Sequence, residues 1–384
     1  MNIILLTQDY PPRPGGMARY YADFASGLGV RTTVFTGTWR GQTPRNAGDE
    51  RVVAFPFDAA QSHRWGHLRL ARQTLREEFK RTRPQLLIIG NARPFAPLGI
   101  RLGREFQVPV ATVFHGNDLL RAARRWKGKF LRRRLWKQLT ELPVMHIMNS
   151  RFTASLATGL GFPESRLVVA EPEVNTELFK PATSPESRAS IRETFSLSSE
   201  GLYSLFVGRL VQRKGLDLLF QALQHLNTKT TLLVAGVGDT TPWETLAREN
   251  GVSDRVKFLG EIPEERLPDL FRAADIFLTP SKEIRDQDDV EGFGIVFLEA
   301  AASGVPSIGS RSGGIPEAIR EDVSGLLVSP ENVSELTQAW ERLLSEGETR
   351  TRLSQAARGW VVENHGLGTT AAKVKAGAKR IAPA

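Results

Sequence analysis

Short runs that are apolar at nearly every position recur along the chain, alternating with segments whose apolar residues fall three and four apart. The first pattern belongs to strands buried on both faces of a sheet, the second to amphipathic helices covering it. Strands are expected over Ile3–Thr7, Thr32–Thr36, Gln85–Ile89, Val110–Phe114 and Val144–Met148, with helices such as Met17–Leu28 and Trp65–Lys80 between them. The alternation pauses from Thr176 to Gly201, a stretch with two prolines, six serines and no clear strand, and a domain junction falls inside it or at its start. It then resumes with strands over Tyr203–Val207, Thr231–Ala235, Val256–Leu259, Ile276–Thr279, Val305–Ile308 and Gly325–Val328. Amphipathic helices over Val333–Ser345 and Arg350–Glu363 follow, then a basic tail, Lys373–Ala384. This pattern predicts an α/β protein of two doubly wound, Rossmann-like domains facing across a cleft, with ligands at the carboxyl ends of the strands.

The chain length of 384 residues suits two such domains, and 41% hydrophobic with 24% charged residues is a globular composition. Cysteine is absent, which excludes disulfides, thiolate metal sites and a cysteine nucleophile. The strand that begins near Asn2 shows no basic n-region or cleavage site ahead of it, so no signal peptide is expected, and the longest apolar run, Gly292 to Gly309, is interrupted by Glu299. The expectation is a cytoplasmic protein that does not span a membrane. The net charge of +9 points to an anionic partner. Much of it is concentrated in Arg121, Arg124, Arg125, Lys127, Lys129, Arg132, Arg133, Arg134 and Lys137, a run without an acidic residue. Trp126, Phe130, Leu131, Leu135, Trp136 and Leu139 interleave with it. Such a run suits either a peripheral contact with an anionic membrane face or a helix with a buried stripe and a solvated basic face.

Four glycine-bearing turns stand between a strand and a helix. Pro11-Pro12-Arg13-Pro14-Gly15-Gly16 lets a phosphate or sugar approach backbone N–H groups at a helix start, or is a plain Gly/Pro loop; it is no Walker loop. In Gly208-Arg209-Leu210-Val211-Gln212-Arg213-Lys214-Gly215, Arg209 and Lys214 are placed to clamp a diphosphate, unless the turn is merely a solvated basic one. In the third, Glu291-Gly292-Phe293-Gly294 opens a helix holding Ile295 and Glu299, after an acidic loop. Carboxylates there can accept hydrogen bonds from sugar and ribose hydroxyls, or be buried structural groups. Ser312-Gly313-Gly314-Ile315-Pro316-Glu317 reads as mainly structural. His115, in His115-Gly116-Asn117-Asp118 at a strand end, is the one histidine with a candidate setting. No His and carboxylate spacing suggests a metal site, and Asp286-Gln287-Asp288 is not taken as one because it adjoins a cationic phosphate clamp.

Together the Gly15-Gly16 loop, His115-Gly116, Asn149-Ser150, Gly208-Arg209 with Lys214-Gly215, Glu291 to Glu299 and Gly313 to Glu317 resemble the retaining glycosyltransferases of family 4, which have the GT-B fold. The segments around Gly208 and Glu291 look most like bacterial phosphatidylinositol mannosyltransferases. The resemblance implies a first domain over 1–178 with 362–384 packing back on it, and a nucleotide-sugar domain over 179–361. It implies that Arg209 and Lys214 bind the donor diphosphate and that Glu291 with Gly292, Phe293 and Gly294 holds the donor sugar. Glu299 would bind ribose, Gly16 would approach the donor phosphate or acceptor, and His115 would contact the sugar near the reacting carbon. Val256-Lys257-Phe258-Leu259 resembles the base-pocket segment. Where the family has Pro-Asn-Gly-Val-Asp, this chain has Glu173 for the glycine and Asn175 for the aspartate, which puts acceptor or hinge contacts there in doubt. The implied activity is metal-independent hexosyl transfer, mannose favoured, from a nucleoside-diphosphate sugar to a lipid-linked or glycan acceptor. The rival readings are a UDP-sugar enzyme with a soluble acceptor and an inactive sugar-nucleotide-binding protein. A nucleic-acid binder lacks any accompanying module, and a dinucleotide-dependent dehydrogenase lacks G-x-G-x-x-G.

Overall fold

The computed structural model describes residues 1–29, 31–46, 50–58, 65–126, 130–284 and 287–381. It divides into two units, Met1–Glu173 with Leu367–Ala384, and Val174–Gly366.

Runs such as Ile3–Leu6 and Leu86–Ile89 are buried at every position. Only a parallel sheet covered on both faces accommodates that pattern. The first unit has seven strands: β1 (Ile3–Leu6), β2 (Thr32–Thr38), β3 (Arg51–Asp58), β4 (Leu86–Ile89), β5 (Val110–Phe114), β6 (Met145–Met148) and β7 (Leu167–Val169). They pair in parallel in the order β3-β2-β1-β4-β5-β6-β7. The order reverses between β1 and β4, so their carboxyl ends form the topological switch point of this sheet.

The second unit has six strands: β8 (Tyr203–Val207), β9 (Thr231–Ala235), β10 (Val256–Gly260), β11 (Ile276–Thr279), β12 (Ser307–Ser310) and β13 (Gly325–Val328). All pair in parallel, in the order β10-β9-β8-β11-β12-β13, with the reversal between β8 and β11. Each unit is thus a doubly wound, Rossmann-like α/β fold.

Several elements depart from the sequence expectation. Strands β3 and β7 were not expected: β3 is an edge strand containing Pro56, and β7 is a three-residue edge. Both signals are weak, because proline and short length argue against a strand. The strand expected at Val305 starts at Ser307, because the Val305 N–H closes the end of helix Ile295–Ala302 on the Ala300 carbonyl. The Ser/Pro-rich stretch contains a helix, Pro185–Thr194, capped by Ser184. Arg188 and Arg192 from this helix both pair with Asp275, at 2.8 and 2.9 Å, tying it to the start of β11.

The unit boundary falls at Glu173 rather than 178, because the Val174 N–H already donates to the His365 carbonyl and Arg358 donates to Thr176 and Phe179 carbonyls. The closing helix, Thr369–Ile381, packs on helix Gly16–Leu28 and on β6 and β7. Glu173 caps it: its carboxylate accepts from the Thr370 N–H at 3.1 Å and the Thr369 hydroxyl at 3.4 Å. Of the two residues that depart from the family pattern, Glu173 is therefore a buried helix cap.

Trp126, Trp136 and Leu139 lie in the core of the first unit, whereas Arg121, Arg124, Arg125, Arg133, Arg134 and Lys137 are exposed. Trp126 and Trp136 thus serve packing. Lys127 and Lys129 lie outside the described residues, and the side chain of Arg132 is not described. Among the described residues no helix is long and apolar enough to cross a membrane.

Candidate functional site

The turns that follow β8 and β11 leave the sheet of the second unit at its switch point. After β8 the chain makes the Gly208–Gly215 turn, a short 3-10 segment at Gln212–Lys214, and helix Leu216–Leu223. Past β11, residues 280–294 run to the start of helix Ile295–Ala302. These two connections are stitched together. The Lys282 N–H donates to the Arg213 carbonyl at 2.8 Å, and the Lys282 ammonium pairs with Asp217 at 2.7 Å.

At the centre is Glu291. Its Oε2 accepts from Lys214 Nζ at 2.5 Å and from the Arg213 guanidinium at 2.7 Å. Arg213 also pairs with Asp289 at 3.1 Å. Burial by itself would raise the Glu291 carboxyl, but the Lys214 and Arg213 cations outweigh it and hold it at about 2. Lys214 is shifted down from the ordinary lysine range by burial, which the Glu291 charge only partly offsets. Glu291 is thus a fixed carboxylate, and its Oε1 has no hydrogen-bond partner among the described residues. Arg209 is exposed, and its side chain has neither ion pair nor hydrogen bond among the described residues. The Lys214 stem lies against Gly208, where an added Cβ would be 3.5 Å from Cε.

The turn read as structural supports this carboxylate directly. Gly313, at φ +58°, and Gly314 bring their main chain against the Glu291–Gly292 peptides. An added Cβ would lie 2.2 Å from the Glu291 carbonyl oxygen at Gly313, and 2.1 Å from that of Gly292 at Gly314. The Gly314 N–H donates to the Glu291 carbonyl at 2.9 Å. Only glycine permits this approach.

The remaining expected residues of this unit have varied settings. Gly294 caps helix Ile295–Ala302 in the left-handed region, Phe293 is buried beside His365, and Glu299 is buried within the helix. Phe258 packs toward Phe220. Lys257 is engaged elsewhere, its ammonium donating to the Phe195 and Ser196 carbonyls at 2.9 and 3.0 Å. Asp286 lies outside the described residues, and Asp289 is committed to Arg213.

In the first unit, the ends of β1, β4 and β5 gather a second cluster. His115 follows β5 and is held neutral, its pKa pushed down to about 3 by burial. Its Nε2 meets the Tyr21 hydroxyl at 2.9 Å, and that hydroxyl donates to the Gly90 carbonyl. Asp118 accepts from the His115 and Leu119 N–H groups, and burial raises its pKa to about 6. Asn91 bridges to Asp9 at 2.8 Å, and Asp9 pairs with Arg13. Gly15 caps helix Gly16–Leu28 at φ +112°, with open space around it and Gly16.

Sequence reasoning missed Arg213, Asp289, Tyr21 and Asp118. The spacing Asp289-x-Glu291, which puts both carboxylates on one side of an extended segment, was the available signal for a shared cation.

Two Rossmann-like units, one of them with cation and carboxylate turns at its switch point, form an arrangement suited to an anionic ligand at the strand ends. Residues 14–178 match the profile of Glycosyltransferase Family 4, and residues 187–360 that of Glycosyl transferases group 1. A GDP-mannose-dependent alpha-(1-6)-phosphatidylinositol monomannoside mannosyltransferase of Mycobacterium tuberculosis is 30% identical over 97% of both chains. Its counterpart in Mycolicibacterium smegmatis is 31% identical over 94% of both. The fold is shared with Anabaena Alr3699/HepE, crystallised with UDP and glucose, at a TM-score of 0.79, 18% identity and coverage of 98% of this chain and 99% of that one. It is also shared with the sucrose-phosphate synthase of Thermosynechococcus elongatus, at a TM-score of 0.78 and 20% identity over 99% and 98% of the two chains. The chain belongs to the family 4 glycosyltransferases, of the GT-B fold.

Proposed function

We propose that this enzyme transfers a mannosyl unit from GDP-mannose to a lipid-linked acceptor, with retention of anomeric configuration and without a divalent metal. One observation carries the donor assignment: Lys214 is anchored on Glu291 at the β8/β11 switch point, on the same turn that carries Arg209. Arg209 and Lys214 offset charge that builds on the departing diphosphate, the task a metal performs elsewhere. Glu291 holds the sugar through Oε1, and Glu299 serves the ribose. The bond from the anomeric carbon to the diphosphate oxygen breaks, and the acceptor oxygen attacks from the same face. The acceptor proton passes to the leaving diphosphate, so no protein nucleophile is required. The choice of GDP-mannose and of a phosphoinositide-type acceptor is supported by the names of the relatives that match nearly full length.

His115, at the end of β5, serves the donor sugar near the reacting carbon, and Asp118 holds its main chain. The exposed cations of 121–137 suit the first unit to an anionic lipid surface reached by charge rather than by insertion, since the tryptophans there are buried. The test is release of nucleoside diphosphate from a panel of GDP- and UDP-hexoses, with and without phosphatidylinositol mannoside in anionic vesicles. GDP-mannose turnover that depends on the mannoside is expected; turnover only with UDP-sugars, or only with soluble acceptors, would remove the assignment.

A further inference from the structure

The donor reading leaves one buried cation without a task. Arg213 exposes only 4% of its side chain, and it joins Asp289 to Glu291. Lys214 and Arg213 share the same carboxylate oxygen, Oε2 of Glu291. An arriving diphosphate therefore competes with Glu291 for Lys214. A lysine on its four-carbon stem can swing between two anions, whereas the Arg213 guanidinium lies between two carboxylates, Nη1 donating to Glu291 and Nε in an ion pair with Asp289. The Arg213 main chain is held too, through its carbonyl and the Lys282 N–H. A buried guanidinium that left its carboxylates would face a large desolvation penalty, so it stays with them.

We propose that Arg213 is the positioning residue of the donor site. It keeps Glu291 aimed at the sugar when Lys214 is drawn to the diphosphate, and so makes the two functions separable. This rests on the donor assignment above. Without Arg213, Lys214 becomes the only cation on Glu291 among the described residues, and sugar and diphosphate contend for it.

The test compares wild type with Arg213→Met, Arg213→Lys and Lys214→Ala. Affinities for GDP and GDP-mannose are measured by calorimetry, and kcat/KM is measured across pH. In Arg213→Met, affinity for GDP should stay within a few-fold while the preference for GDP-mannose over GDP falls by about tenfold, and kcat/KM drops by about a hundredfold, as for a misplaced contact group. The acid limb of its kcat/KM profile should move to higher pH, because Glu291 has lost one of its two cations. Lys214→Ala should weaken GDP itself. Arg213→Lys keeps a charge but one arm only, and should restore part of the sugar preference; it decides the matter if Arg213→Met does not fold. Wild-type preference and an unmoved acid limb in the arginine variants would overturn the role of Arg213 while leaving the donor reading intact. A wild type that binds neither GDP- nor UDP-sugars would overturn both.

Discussion

The Gly314→Ala variant isolates how far the Glu291 carboxylate depends on the turn packed behind it. Gly314 has φ −89° and ψ 2°, a conformation alanine accepts, so backbone strain does not enter. The added Cβ would lie 2.1 Å from the Gly292 carbonyl oxygen and 2.7 Å from its carbon, and real contacts do not go below 3.0 Å. The two main-chain segments must therefore separate by about 0.9 Å, the shortfall from that limit. The hydrogen bond from the Gly314 N–H to the Glu291 carbonyl, 2.9 Å long, does not survive such a separation. Its loss costs about 1 kcal/mol, and overpacking of this kind typically brings the total to about 1–3 kcal/mol. A carboxylate displaced by about 1 Å from its working position loses about a hundredfold in kcat/KM, which is about 2.7 kcal/mol of transition-state stabilisation. The assay is GDP release from GDP-mannose with lipid acceptor, run beside urea unfolding. Gly159→Ala, where no neighbour lies within 4 Å, is the control and should be near neutral. A folded Gly314→Ala protein with kcat/KM within about threefold of wild type would refute the reasoning, because a shift felt at Glu291 cannot be that small in its effect.

Two further outcomes concern the first unit. His115 has a folded pKa near 3 against an ordinary 6.5, so the unfolded chain takes up a proton that the folded one refuses. The His115 contribution is complete above about 6.5 and is lost as pH falls toward 3; urea midpoints of His115→Asn should decline less over that range than those of wild type, and parallel declines would contradict the burial argument. Glu173→Ala removes the cap of helix Thr369–Ile381 and should lower stability by about 1 kcal/mol, with GDP-mannose turnover at low temperature unchanged. Unchanged stability, or a selective loss of turnover, would contradict a purely capping role for Glu173.

Much of the fold was legible because a doubly wound sheet writes itself into the chain as strands apolar on both faces, separated by helices of period 3.6. What failed was at the edges, where that signal fades. Strand β3 carries Pro56, and β7 is too short to stand out. Helix Pro185–Thr194 had its own start signal in Ser184-Pro185, but its serines and proline read as a junction. Its two arginines are fixed by Asp275, more than eighty positions away, which local periodicity does not reveal.

The candidate-site residues were legible for a different reason. Arg209, Lys214 and Glu291 each belong to a strand-to-helix turn, and a turn's position follows from its flanking strands. That β8 and β11 are neighbours at the reversal of the sheet follows from the topology, and it brings Lys214 onto Glu291 across 77 positions. The spacing read from sequence cast Lys214 as a diphosphate ligand and Glu291 as a sugar ligand, two independent contacts. Here they are partners in one ion pair, with Arg213 as the third member. On the proposed donor reading, an anionic donor would do more than fill a waiting clamp: it would exchange Glu291 for phosphate on Lys214. Its affinity would then reflect the difference between two charge-assisted contacts, with Arg213, as proposed, setting the strength of the one given up. Two cations on one carboxylate oxygen follow only from three-dimensional placement, which is why the sequence named the participants without the exchange between them.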